Sequence, residues 1–305
     1  YLFSSTVKEN IAYGKLISIE EASPYRVEPE CKVYPKCGGC DFWHLSYDEE
    51  LSFKEEQVQN VIRRIGGLDL KVESVVGSID VLHYRNKAQY RFAKVGERVT
   101  AGFYASGTHR VIGNESCPLQ PDIFGEITRT VCDFAEKYNI SVYDEESGKG
   151  MLRHLYIRSG SGDDGEICVC LVINGKDFIH AESLVDLLTY KFKRIVGIVI
   201  NINQKNSNLI LGDEYKTLWG KCGISDVFCG VELDVSPAAF YQVNHDAAEL
   251  LCKTAADSVE NAIDFVRNLL ACFIALAGQE QRTFVSLGAF GFGVNKSVGF
   301  KMVKS

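Results

Sequence analysis

The sequence of 305 residues lacks long hydrophobic runs and any excess of positive charge, and it holds only six prolines and two methionines. Its longest purely apolar stretch lies near residues 269–277, far short of the roughly 20 residues that a helix needs to cross a bilayer. No basic region followed by an apolar core marks a signal peptide at the N-terminus. We therefore expect a cytoplasmic protein without a membrane partner. A net charge of −7 excludes a protein coated in positive charge, so any nucleic-acid contact must come from a local patch.

The chain does not begin with methionine, since its two methionines are Met151 and Met302. We therefore expect the natural N-terminus to lie outside the printed sequence. In contrast to these shortages, the chain has eleven cysteines. Without an export signal they indicate a reducing compartment, where closely spaced thiols are more often metal ligands than disulfides.

The order of strand-like and helix-like segments predicts an α+β fold with a mostly antiparallel sheet. Residues 11–29 alternate as a strand that ends in a proline-bounded turn, and short strand-like runs fill residues 72–235. Residues 159–166 have the composition of a hairpin turn, and residues from 236 onward are rich in helix formers. The predicted helices before that point lie at 46–67, 121–137 and 181–190.

Three cysteines lie within ten residues, in the stretch CKVYPKCGGC. Cys31, Cys37 and Cys40 supply three soft ligands on a loop whose two glycines let the backbone fold around a bound centre. Cys117, between Asn114 and the prolines of NESCPLQP, is the best candidate for a fourth ligand. Thiolates suit either an iron–sulfur cluster or zinc, and the spacing alone leaves both open, as well as inert thiols.

Two other cysteines have a different pattern. Cys168 and Cys170 alternate with valine and leucine in a predicted strand, which is typical of buried small hydrophobic residues.

A local excess of positive charge lies between residues 83 and 110, where aromatic residues are interspersed with six cations and one acid, Glu97. The cations are Arg85, Lys87, Arg91, Lys94, Arg98 and Arg110. Cations for phosphates and aromatic rings for unstacked bases are typical of a surface that binds single-stranded RNA. A solvated strand face explains the same stretch equally well.

The stretch RHLYIR adds Arg153, His154 and Arg158 to these candidates. Its alternation predicts that Arg153 shares one face of a strand with Leu155 and Ile157, and that His154 and Arg158 lie on the other.

Two further motifs are weak when taken alone. SPAAFYQVN, residues 236–244, offers the amides of Gln242 and Asn244 beside two aromatic rings. TFVSLGAFGFG, residues 283–293, superficially resembles a nucleotide-binding glycine turn, but too few residues follow it to complete a doubly wound domain. A glycine-rich tail is the favoured interpretation of the second motif.

Several segments occur together in an order that resembles the RNA uracil-C5 methyltransferases, which modify uridines of 23S ribosomal RNA or tRNA. The similarity covers about residues 10–252 and rests on the cysteine pattern together with YRNKAQY, RHLYIR, NINQKNSNLILGDEYKTLWG and SPAAFYQVN. It implies an enzyme that uses S-adenosyl-L-methionine and a 4Fe–4S cluster, with RNA as its partner, and we expect a monomer. The implied cluster ligands are Cys31, Cys37, Cys40 and Cys117, and Gln242 matches the glutamine that contacts S-adenosyl-L-methionine.

The resemblance also predicts how the chain is divided. Residues 1–30 match the end of an oligonucleotide-binding β-barrel, residues 31–71 the iron–sulfur loop and helix, and residues 72–235 a central RNA-binding domain. Residues 236–305 match the start of an α/β, Rossmann-like methyltransferase domain that is incomplete and has a divergent tail. The residues expected to contact RNA are Arg85, Lys87, Arg91, Arg153 and His154.

The sequence departs from the family after FYQVN. In the family a cysteine thiolate adds to C6 of uracil, the methyl group passes to C5, and a base removes the C5 proton. The expected Asp-Pro-Pro motif, nucleophile segment and late glutamate are absent, because the last proline is Pro237 and because Cys252 and Cys272 sit on apolar helical patterns. We therefore expect no catalytic residue in this chain and no activity of the chain alone. A non-catalytic RNA-binding protein with an iron–sulfur or zinc site, and an electron-carrying iron–sulfur protein, are the alternatives.

Overall fold

The structure is a computed structural model that describes residues 2–8, 11–114, 116–207 and 209–257. Residues 2–8 and 11–15 are described by their backbone alone. The described residues fall into two compact units. One contains the residues up to Ser78 together with Ala105–Thr108, and the other contains Ile79–Tyr104 and the residues from His109 onward. The glycine-rich stretch at 283–293, Cys272 and the rest of the predicted tail lie outside the described residues.

The first unit consists of a β-hairpin, the cysteine loop and one helix. Strands β1 (Leu2–Lys8) and β2 (Ile11–Ser18) pair antiparallel. Helix α1 (Tyr47–Arg64) begins after Ser46. It has acids in its first turn and Arg63 and Arg64 in its last turn, and these charges complement the helix dipole. This helix confirms the prediction for 46–67, and none of its residues is fully buried.

The second unit is built on a seven-stranded sheet in the order β5-β4-β3-β6-β7-β8-β9. Its strands are β3 (Lys87–Val95), β4 (Arg98–Tyr104), β5 (Val111–Gly113), β6 (Leu152–Ser159), β7 (Ile167–Ile173), β8 (Ile195–Ile202) and β9 (Glu214–Gly220). All neighbours in this sheet are antiparallel except β7 and β8. The α+β, mostly antiparallel fold expected from the sequence is thereby confirmed.

Two helices cover one face of this sheet. Helix α2 (Asp122–Lys137) and helix α3 (Ala181–Lys191) begin within one residue of their predicted starts. Phe124, Ile127 and Val131 recur at helical spacing along α2 and are almost wholly buried against the sheet. Because α3 lies between the two parallel strands in sequence, it forms the crossover that a parallel pair requires.

A smaller core lies on the opposite face of the sheet. Here strands β10 (Ile224–Phe228) and β11 (Val231–Val235) form a hairpin, and helix α4 (His245–Asp257) follows. Tyr156, Cys168 and Cys170 project from the sheet into this core, where they meet residues of the hairpin, of 236–244 and of α4. Sheet positions are therefore buried on both faces, which is why β6 and β7 have no exposed residue.

Strand β6 differs from the alternation that its sequence predicts. The pairing with β7 shifts register between Leu152 and His154, while Leu152, Leu155 and Ile157 all belong to the core on the helix side. Arg153 is therefore the extra residue of a β-bulge, and the prediction that it shares a face with Leu155 and Ile157 is wrong. The bulge could not be read from the sequence, because a period of two assumes an unbroken ladder.

Within the described ranges, no helix is both long enough and apolar enough to cross a membrane.

Candidate functional site

The cysteine loop of the first unit is a series of tight turns. The backbone N–H of Tyr34 donates to the carbonyl of Cys31 at 3.2 Å, and that of Cys37 donates to the carbonyl of Val33 at 3.0 Å. Cys31, Cys37 and Cys40 are all half-buried. A turn-rich loop that presents three thiols has the donor chemistry that an iron–sulfur cluster or a zinc ion requires.

None of the ten cysteines in the described ranges forms a disulfide, and no group of three or more His, Cys, Asp or Glu side chains there is placed to hold a metal ion. Cys117 lies in the second unit, in the loop between β5 and α2, where its carbonyl accepts a bond from the N–H of Gln120 at 3.0 Å. The cysteine loop and Cys117 therefore fit a soft metal centre by chemistry alone.

The pattern-based expectation for Cys168 and Cys170 is confirmed. Both side chains are buried in β7, and burial raises the pKa of the Cys168 thiol to about 12. Cys252 is also buried, on α4, and burial raises its thiol pKa as well. All three thiols pack in the smaller core, as small hydrophobic side chains do.

A row of polar residues runs along the sheet face opposite α2 and α3. Lys87, Gln89 and Arg91 alternate on β3 with residues of the helix-side core and lie directly opposite residues of β6. The cross-strand pairs are Lys87 with Arg158, Gln89 with Tyr156, and Arg91 with His154. Four of the five residues expected to contact RNA, namely Lys87, Arg91, Arg153 and His154, thus lie in two adjacent strands.

Arg91 and Arg153 are buried and bind backbone carbonyls. Arg91 donates to the carbonyls of Arg153 at 2.7 Å and Tyr143 at 3.0 Å, and Arg153 donates to those of Asn203 and Lys205, both at 2.8 Å. The guanidinium of Arg153 also lies 4.3 Å from the centre of the Tyr143 ring, at cation–π distance. Both side chains therefore brace the loops at the end of the sheet, while contact with RNA stays a prediction.

His154 is held neutral by its surroundings. It is buried, and burial followed by the charges of Arg91 and Arg153 lowers its pKa to about 3. Its Nδ1 atom has no hydrogen-bond partner in the described part of the chain. A neutral imidazole beside two guanidinium groups avoids the repulsion that a third buried cation would add.

Glu145 supplies a carboxylate to this cluster. Its Oε1 atom lies 3.4 Å from Nη2 of Arg91 and accepts a bond from the Tyr104 hydroxyl at 2.9 Å, while its Oε2 atom lies 2.7 Å from Nδ1 of His109. Burial raises the pKa of Glu145, but His109, Tyr104 and Arg91 together bring it below its ordinary value. No sequence motif pointed to Glu145, because its partners Arg91, Tyr104 and His109 lie far from it in sequence.

Arg85 and Lys87 are half-buried; Lys87 is the first residue of β3, and Arg85 lies two residues before it. The N–H of Arg85 donates to the carbonyl of Leu119 at 2.8 Å, and Arg85 forms an isolated bridge with Asn244. These two cations are the more accessible members of the predicted RNA-contacting set.

Residues 236–244, which we call the Gln242 segment, lie on the same side of the sheet. The carbonyl of Gln242 accepts a bond from Nδ2 of Asn86 at 2.9 Å, and the carbonyl of Val243 accepts one from the Asn86 N–H, also at 2.9 Å. Asn244 caps α4 by accepting a bond from the N–H of Ala247 at 3.0 Å. The side-chain amide of Gln242 is half-buried and makes no hydrogen bond with any described residue, so its donors and acceptor remain available to a ligand.

Comparisons with known proteins show which proteins this chain resembles. Over 251 residues, or 82% of its length, the chain is 39% identical to a Clostridium tetani protein named "Uncharacterized RNA methyltransferase". Over most of its length the chain is thus similar to a protein named as an RNA methyltransferase. A Bacillus cereus protein of the same name is 39% identical over 249 residues. The matched regions make up 54% and 53% of those two proteins, so the chain spans about half the length of the curated relatives it matches.

The fold has a relative among solved structures. The crystal structure of Pyrococcus abyssi tRNA (uracil-54, C5)-methyltransferase in complex with S-adenosyl-L-homocysteine matches 84% of this chain and 57% of its own, with a TM-score of 0.66 and 22% sequence identity. This match shows a shared α+β architecture. No protein-family model matches the chain. The resemblance to RNA methyltransferases that the sequence motifs predict is confirmed.

Proposed function

We propose that this chain is the RNA-docking part of an S-adenosyl-L-methionine-dependent RNA uracil-C5 methyltransferase. The observation that supports it most is the identity of 39% with a named RNA methyltransferase over 251 residues. The fold shared with a tRNA (uracil-54, C5)-methyltransferase agrees with this choice of chemistry. Uridine of tRNA or of 23S ribosomal RNA is the proposed target.

The cofactor would be contacted by the side chain of Gln242. That amide lies unpaired on a segment fixed by Asn86, and an amide can donate to and accept from a polar ligand at once. S-adenosyl-L-methionine supplies the methyl group that this family transfers to C5 of uracil. The printed sequence has no Asp-Pro-Pro motif after Gln242, and its Cys252 is a buried thiol. We therefore propose that the printed chain does not methylate RNA by itself.

The RNA would lie along the row of polar residues on β3 and β6 and beside Arg85, which comes just before β3. Arg85 and Lys87 are accessible enough to bind phosphates directly, whereas the buried Arg91, Arg153 and His154 shape the surface beneath. Phosphate contacts fix the register of a nucleic acid without reading its sequence. Such docking would present one base, flipped from its stack, to the cofactor.

The cysteines would hold a 4Fe–4S cluster. The proposed ligands are Cys31, Cys37, Cys40 and Cys117, a set that comes from the family resemblance. Bound metal stabilises a loop that has little core of its own, so a folding role suffices to explain the cluster.

Metal analysis of the anaerobically purified chain tests the cluster. We expect about four irons with matching sulfide per chain. Cys37→Ala should lose them, and Cys222→Ala, which removes an exposed thiol outside the proposed ligand set, should retain them. A result of one zinc and no iron per chain would show that the site holds zinc and not the proposed cluster.

Methylation is tested with the full-length gene product. Incubated with S-adenosyl-L-methionine and transcripts of tRNA or 23S ribosomal RNA, it should produce 5-methyluridine detectable by mass spectrometry of the digested RNA. Absence of this product from both RNAs would overturn the proposed activity.

A non-catalytic RNA-binding protein is the second candidate, favoured by the absence of a nucleophile motif from the printed sequence. It predicts salt-dependent RNA affinity without any binding of S-adenosyl-L-homocysteine.

A further inference from the structure

The Gln242 segment is fastened to the sheet by buried polar side chains that lie far from it in sequence. We propose that Arg158 and Asn86 are positioning residues, which fix the backbone of residues 236–244 and thereby direct the Gln242 amide toward the cofactor. The role of Gln242 itself rests on the proposed function. The fastening rests only on contacts within the second unit.

Arg158 makes the first of these attachments. Its side chain is only 1% exposed, and its Nη2 atom donates to the carbonyl of Ala239 at 2.7 Å across 81 residues of sequence. Both Nε, at 3.0 Å, and Nη2 donate to the hydroxyl of Tyr156, a neighbour on the same strand face. The Tyr156 hydroxyl therefore orients the guanidinium so that one N–H points at the Gln242 segment.

The charge of Arg158 has no ionic partner in the described part of the chain. No carboxylate there lies within ion-pair distance of its guanidinium, and its Nη1 atom has no hydrogen-bond partner. A buried cation without a counter-charge is costly, and a hydrophobic residue would fill the same space at lower cost. What arginine adds at this position is the charge-assisted bond to the Ala239 carbonyl, which is stronger than a bond between neutral groups.

Asn86 makes the second attachment. It is 5% exposed, and it bonds two consecutive carbonyls of the segment, those of Gln242 and Val243, through its side chain and its backbone N–H. Its own carbonyl accepts a bond from the N–H of Ser159, at 2.9 Å, next to Arg158. The two positioning residues are thus joined to each other through the end of β6.

Tyr241 ties the middle of the segment. Its hydroxyl donates to Oδ2 of Asp226 at 2.7 Å, and Oδ1 of Asp226 accepts bonds from the N–H and hydroxyl of Ser161. Burial and the nearby Asp226 raise the pKa of Tyr241, so the phenol stays protonated and remains a donor. Bonds at Ala239, Tyr241, Gln242 and Val243 leave the segment little freedom, while the Gln242 side chain is left unpaired.

Two measurements on the 305-residue chain test the proposal. Deuterium exchange of peptides that span residues 236–257 reports the fastening, and titration with S-adenosyl-L-homocysteine reports its use. Arg158→Gln and Asn86→Ala should each accelerate exchange in those peptides and weaken affinity for S-adenosyl-L-homocysteine by roughly tenfold or more, since each removes a buried hydrogen bond. Arg158→Lys should restore part of both, because a lysine can donate to the Ala239 carbonyl.

Asn174→Ala is the matched control, because Asn174 also donates through its side chain to a loop carbonyl, that of Gly150 at 3.0 Å, but this loop has no part in fastening the Gln242 segment. It should leave both readouts unchanged. Unaltered exchange in the Arg158 and Asn86 variants overturns the proposal, as does accelerated exchange with unchanged affinity. If the unmutated chain binds no S-adenosyl-L-homocysteine, the proposed cofactor function of this chain fails, and the exchange data alone then decide whether the two residues fasten the segment.

Discussion

At the scale of single residues, the buried polar groups of the second unit determine how it responds to acid. His154 is buried beside Arg91 and Arg153, and its pKa of about 3 lies far below the ordinary value for histidine. The folded protein therefore keeps this imidazole neutral, while the unfolded chain binds a proton below pH 6.5. Below pH 6.5 the unfolded state binds more protons than the folded state. The stabilising contribution of neutral His154 is therefore complete above pH 6.5 and declines as the pH falls toward 3.

We expect this group to lower the free energy of unfolding by about 2 kcal/mol between pH 7 and pH 5. Urea denaturation of the wild-type chain and of His154→Gln at the two pH values measures it. The variant should lose less stability on acidification than the wild type, because glutamine does not titrate. Equal losses in both proteins would show that His154 is protonated in the folded state.

Single-residue roles were predictable from sequence only where a local pattern defines them. The alternation around Cys168 and Cys170 identified two buried thiols, and both are buried. Asn86 was not identified, although it lies inside a motif that was, because the carbonyl it binds is 156 residues away. Glu145 was missed for the same reason, since its bonds to Arg91 and His109 depend on how the sheet folds.

At the scale of elements, helices were predicted better than strand details. The starts of α2 and α3 lie within one residue of the prediction because a helical apolar period and its flanking turns are local signals. The bulge at Arg153 and the parallel pairing of β7 with β8 depend on neighbouring strands, which no local signal specifies.

The pairing of β4 with β5 depends on a glycine. A Cβ atom at Gly102 would lie 1.9 Å from the carbonyl oxygen of Ile112 on the neighbouring strand. Gly102→Ala should therefore displace β5 and destabilise the chain by at least about 2 kcal/mol, as overpacking of a tight contact does. Urea denaturation at pH 7 gives the value.

Gly96→Ala is the control for that change. Gly96 has a φ of +62° in the turn between β3 and β4, and no heavy atom lies within 4 Å of its added Cβ. Its cost should be only the backbone strain of about 1 kcal/mol. A Gly102 variant no less stable than the Gly96 variant would mean that β5 moves aside freely.

At the scale of the whole molecule, the predicted RNA-contacting cations form a local positive patch on a chain that is acidic overall. A net charge of −7 opposes nonspecific attachment to RNA, so binding should depend on few cations. Arg85 and Lys87 are half-buried and are the more accessible members of the predicted set, whereas Arg91, Arg153 and His154 are buried. The sequence indicated the patch, but it could not separate surface cations from buried ones.

Salt dependence of RNA binding tests this division. Each phosphate contact to single-stranded RNA contributes about 0.7 to the slope of log affinity against log salt, so Arg85→Gln with Lys87→Gln should reduce the slope by about 1.4. Fluorescence anisotropy with a labelled uridine-containing oligonucleotide between low and moderate salt measures it. The matched control replaces two exposed lysines away from β3, Lys176 and Lys193, by glutamine as well. It should leave the slope unchanged. If the two double variants lose the same amount, the RNA is attracted by overall charge, and the row of polar residues on β3 and β6 is not its docking surface.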